Sequence, residues 1–99
     1  MKFIIKWSFK ENIYNLMRKV GYCYQREDKE KKEFSFVRPS RRYPRFRLYL
    51  KIEEENLIFN LHLNQRKSIY EGVPAHSAEY NGKVVKKGAE RIKEILEKL

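Results

Sequence analysis

The residues best suited to chemistry lie in one stretch, Arg38-Pro39-Ser40-Arg41-Arg42-Tyr43-Pro44-Arg45-Phe46-Arg47. Five of its ten residues are arginine, and Tyr43 and Phe46 lie among them. A guanidinium fork grips phosphate through two parallel N–H bonds and stacks on flat rings, and interleaved aromatics stack on bases. Pro39 and Pro44 restrict the stretch and lower the entropy lost on binding. The chemistry expected here is contact with a polyanion, nucleic acid first. Arg41, Arg42, Arg45 and Arg47 would meet the phosphate backbone, Arg38 would stand beside them, and Tyr43 would stack. The plain alternatives are a solvated basic connector, or arginines that pair with Glu53, Glu54 and Glu55.

Two further groups could act on a ligand. Lys83, Lys86 and Lys87 open the last predicted helix, where free N–H groups and the helix dipole favour phosphate. Lys86 and Lys87 are expected to give a second phosphate contact. His62 and His76, with Glu79 and Tyr80, could serve as acid and base. Their spacing matches no metal motif, so no metal and no cofactor is expected. A catalytic His62 beside Arg47 would be a general base next to a phosphate clamp, which is the constellation for RNA cleavage.

Charge supports the first reading. The 99 residues hold 23 Lys and Arg against 13 Asp and Glu, a net charge of +10. The isoelectric point near 9.8 fits the electrostatic footprint of a nucleic-acid binder. Residues 26–33 carry four charges of each sign and cancel, whereas Arg38, Arg41, Arg42, Arg45, Arg47 and Lys51 alone supply +6. Cys23 is the only cysteine, so the chain is no disulfide scaffold. A small core residue is its expected role. The apolar start, Met1 to Trp7, is broken by Lys2 and Lys6 and is too short to span a bilayer, so a cytoplasmic protein without membrane contact is the default.

The elements that must position these groups follow from periodicity. One α+β domain over 1–99 is expected, with 26–33 as an exposed, mobile loop or frayed strand end and 38–47 as a basic loop. Residues 2–7 read as a short strand or an extended arm. A helix is predicted from about Phe9 to Val20, opened by a capping box of Ser8 and Glu11 and closed by Gly21. Phe34–Val37, Phe46–Ile52 and Leu57–Leu63 read as strands. A helix from Asn81 or Gly82 buries Val85, Ala89, Ile92 and Leu96. Gly88 weakens it by about 1 kcal/mol relative to alanine.

The middle hairpin has a readable register. Its apolar residues are even-numbered before the turn and odd-numbered after it, so both sets reach one core only if Ile52 faces Leu57. That pairing sets Leu50 opposite Phe59 and Leu48 opposite Leu61. On the other face it sets Arg47 opposite His62 and Tyr49 opposite Asn60, where binding or chemistry is expected.

The order helix, three antiparallel strands, helix is similar to the double-stranded RNA-binding domain. Lys86-Lys87-Gly88-Ala89 resembles that family's lysine-rich phosphate motif, and the resemblance implies shape-based binding to A-form RNA. Arg38 to Arg47 stands where that family has a Gly-Pro-His loop. The same order resembles the HicA-type endoribonuclease toxins. Leu16 to Tyr22 looks like the end of their first helix, and Val85 to Leu96 looks like their closing helix. Their catalytic histidine falls where this chain has Tyr43-Pro44-Arg45-Phe46-Arg47. Three functions are thereby expected to compete. A non-catalytic RNA-binding domain leads, with RNA favoured over DNA. A small nuclease using His62 or His76 comes second. A module docking an acidic protein partner comes third.

Overall fold

A computed structural model describes residues 1–8, 10–65 and 82–99 in full and the backbone of 78–79. The elements run β1 (Lys2–Lys6), α1 (Ile13–Val20), β2 (Cys23–Asp28), β3 (Glu33–Arg38), β4 (Arg45–Glu53), β5 (Asn56–Asn64), β6 (Ala78–Glu79) and α2 (Lys83–Glu97). The strands form one antiparallel sheet in the order β1-β5-β4-β3-β2, with the two-residue β6 also on β5. The class is α+β, as expected. The strand count and order differ from helix–three strands–helix, because β1 and β2 add a strand at each end of the predicted meander.

The central hairpin has the register that alternation demands. Ile52 faces Leu57, Leu50 faces Phe59, and Leu48 faces Leu61. Slipping by one residue would carry Leu57, Phe59 and Leu61, all fully buried, to the opposite face. The same face of β1 brings Phe3 onto Phe59, their ring centroids 4.9 Å apart. Ile13, Leu16, Met17 and Val20 of α1, and Val85, Ala89, Ile92 and Leu96 of α2, enter this one core. Both helices therefore cover a single face of the sheet.

Helix α1 starts later than expected. Its N-cap is Asn12, whose Oδ1 accepts a hydrogen bond from the Asn15 N–H at 2.9 Å. Glu11 is outside the helix and accepts instead from Lys19 Nζ, so Ser8 and Glu11 form no capping box. An asparagine cap satisfies an orphan N–H better than continuing the helix back through the polar residues before it. Asn12→Ala is expected to lower unfolding free energy by about 1 kcal/mol in urea titration, whereas Ser8→Ala leaves the midpoint unchanged. Gly21 ends α1 as predicted, at φ 94, with its N–H on the Arg18 carbonyl and the Tyr22 N–H on that of Met17.

Three other expectations are corrected. Residues 26–33 are not one loop. They close β2, turn at 29–32 and open β3, with the Asp28 carboxylate accepting from the Glu30 and Lys31 N–H groups. The strand escaped periodicity because all six residues of β2 are exposed. Cys23, expected in the core, is exposed on that same strand. The basic loop is also shorter than 38–47: Arg38 ends β3 and Arg45 begins β4, leaving 39–44 between strands.

Candidate nucleic-acid interface

The arginine stretch is divided between two surfaces because it enters and leaves through strands. Arg38 ends β3 with its neighbour Phe46 across the ladder, while Arg47 pairs with Val37 and His62. Alternation then sends Arg38 and Phe46 to the helix side and Arg45 and Arg47 to the bare side. Of the loop residues, Arg41 and Arg42 are exposed and Tyr43 is half-buried.

On the helix side a groove of about 620 Å³ opens between the end of the sheet and the first turn of α2. Arg38, Pro39, Arg42 and Pro44 wall it from the loop, Phe46 and Leu63 from the sheet, and Val84 from α2. The close approach of α2 depends on Gly88. A Cβ there would lie 2.9 Å from Phe46 Cε1 and 3.2 Å from Leu61 Cδ2. The glycine that weakens the helix by propensity is thus what lets α2 settle against Phe46.

The lysines of α2 do not act as the expected pair. Lys86 and Lys87 are both exposed but stand about 100° apart around the helix. Lys87 lies on the side of α2 that carries Val84, three residues before it, and Arg91, four after. Lys86 shares the opposite flank with Lys93, whose Nζ lies 5.1 Å from the Phe3 ring centroid. Arg91 was not singled out from sequence. Its Nη1 donates to the Val20 carbonyl at 2.8 Å, which places the rest of its guanidinium beside Arg38. Its position one turn beyond Lys87 was the available signal, but only the packing of α2 against the end of α1 gives it a role.

No protein-family model, curated protein or solved structure matches the chain.

On the bare side, Arg47 faces His62 and Tyr49 faces Asn60, as the register predicts. The Tyr49 and His62 rings meet edge to face at 5.1 Å. They border a shallow cleft of about 310 Å³ with Ser35, Asn60 and the mixed charges Arg26, Asp28, Lys31 and Glu33. Burial holds the His62 imidazole below its ordinary value of 6.5, and the Met1 ammonium and Arg47 push the same way. Folded His62 therefore takes up a proton less readily than unfolded His62. Stability is unaffected above about pH 6.5 and falls as pH drops from there through the folded value. Thermal melts between pH 7.5 and 5.5 are expected to show a steeper loss for the native chain than for His62→Gln.

Other expected roles shift. The Arg45 guanidinium carbon lies 4.6 Å from the Tyr43 ring centroid, and Arg45 Nη1 donates to the Ser40 carbonyl at 3.2 Å. Arg45 and Tyr43 thus form a stacked unit that braces the loop from within. His76 and Tyr80 lie outside the described residues, and of Glu79 only the backbone is described, opposite Leu63. Among the described residues no three His, Cys, Asp or Glu side chains gather to hold a metal ion, and no helix is long and apolar enough to cross a membrane.

Proposed function

We propose that the chain is a nucleic-acid-binding protein, RNA favoured over DNA, that holds the phosphate backbone at the loop end of the sandwich. One observation carries this reading: Arg38 and Arg42 line one groove, and Arg91, distant in sequence, brings its guanidinium beside Arg38 above Gly21. Arg41 is exposed on the same loop as Arg42, and the exposed Lys87 lies on the side of α2 that carries Arg91. Among the described residues no carboxylate forms an ion pair with these arginines; the ion pairs are Lys6 with Glu55 and Lys19 with Glu11. Guanidiniums with no carboxylate partner among the described residues, at a net charge of +10, are available to phosphate. The test is fluorescence anisotropy with labelled single-stranded RNA, duplex RNA and DNA at low salt. Saturable binding that weakens in an Arg41→Ala, Arg42→Ala variant supports the reading. Equal binding by native and variant chains, or none by either, retires it.

A second reading rests on the bare side. A neutral imidazole at His62, with Arg47 directly across the ladder and Tyr49 against it, supplies a general base and a cation for a developing phosphorane-like charge. Cleavage of labelled RNA by the native chain, absent from His62→Ala, would support a nuclease. Intact RNA with the native chain ends it.

A further inference from the structure

Two guanidiniums converge above Gly21. The position a Cβ would take on this residue lies 3.3 Å from Arg91 Nη2 and 3.5 Å from Arg38 Nε. Gly21 has φ 94, a conformation that leaves only backbone at this place. Like charges brought so close are unfavourable unless an anion stands with them. Among the described residues no carboxylate does.

The surroundings prepare the pair for a ligand. Arg91 spends Nη1 on the Val20 carbonyl at the end of α1, which fixes the guanidinium and leaves its other donors unassigned. Tyr22 is buried beneath, its phenol pushed up to about 12 by burial, with Arg38 and Arg91 pulling the other way. It stays protonated and adds no negative charge of its own. Burial and Arg38 both lower the Arg91 pKa, with Tyr22 pulling the other way. Arg38 also lines the groove, whose other walls include the apolar Pro44, Phe46, Leu63 and Val84. A volume of about 620 Å³ with Arg38, Arg42 and Gln65 among its apolar lining residues suits a small ligand.

We propose that Arg38 and Arg91 clamp one phosphate of a nucleotide, whose nucleoside occupies the adjoining apolar groove. Phosphate suits the pair because its oxygens accept from two guanidiniums at once. This deepens the nucleic-acid reading by naming the place where one nucleotide of the strand is held.

The test titrates the full chain with adenosine monophosphate, adenosine and inorganic phosphate by calorimetry, with labelled RNA measured in parallel. The nucleotide is expected to bind at least tenfold more tightly than either adenosine or phosphate alone. Arg38→Ala, which leaves the Arg91 bond to Val20 in place, is expected to weaken nucleotide binding about tenfold to a hundredfold. Arg91→Lys keeps the charge but not the fork, and the same loss is expected with a circular dichroism spectrum like the native one. If folded Arg38→Ala binds the nucleotide as the native chain does, or if adenosine binds as well as its phosphate, the clamp is wrong. RNA binding without nucleotide binding overturns the clamp and leaves the broader reading standing. Nucleotide binding without RNA binding does the reverse.

Discussion

Raising salt from about 50 to 200 mM is expected to lower RNA affinity on the order of a hundredfold, from a slope near −0.7 per phosphate contact and about five contacts. The five proposed are Arg38 and Arg42, which line the groove, Arg91, which meets Arg38 above Gly21, and the exposed Arg41 and Lys87. Removing Arg41 and Arg42 together should make the slope shallower by about 1.4. Replacing Lys86 should change it little, since that lysine stands on the opposite flank of α2 with Lys93. The contrast between Lys86→Ala and Lys87→Ala is the sharper measurement, because the two differ in position and hardly at all in chemistry. Equal effects from both would mean that the charge acts diffusely and that the groove has no special part.

Gly88→Val is expected to cost about 1–3 kcal/mol by overpacking, partly offset by about half a kcal/mol of improved helix propensity. In a domain of this length that is a fall in melting temperature on the order of 10 °C. The cause is local: a new Cβ would lie 2.9 Å from Phe46 Cε1 and 3.0 Å from Cζ. A combined Gly88→Val, Phe46→Leu chain should recover part of the loss, since the two side chains contend for one space. Additive losses in the double variant would refute this account. Because Phe46 also walls the groove, Gly88→Val should weaken nucleotide binding at temperatures where the variant is still folded.

The centre of the sheet was legible because alternation there has one solution. Leu48, Leu50, Leu57, Phe59 and Leu61 are all fully buried, and that burial leaves a period of two. Arg47 and His62 were placed opposite each other by the same logic, without any signal of their own. Strand β2 was illegible for the complementary reason. It buries no side chain, so backbone pairing with β3 holds it and composition does not register that. The start of α1 was misplaced because Ser8 and Asn12 are both competent caps and local sequence does not arbitrate between them. The groove needed three segments to meet, the 39–44 loop, the ends of β4 and β5, and α2. Nothing in the order of residues announces that Arg38 and Arg91 will share the space above Gly21.

Strand β2 has a consequence for how the molecule behaves in company. It ends the strand order, and one side of its backbone has no neighbouring strand among the described residues. Such a rim is a template on which another chain can grow a sheet. Here Arg26, Glu27 and Asp28 crowd the rim with charges of both signs, and the register shifts between Tyr24 and Arg26. An approaching strand would have to desolvate those charges and match a ladder that is out of step. The polar segment that hid from periodicity is therefore a guard against fibre growth, and its lack of apolar pattern is what makes it effective.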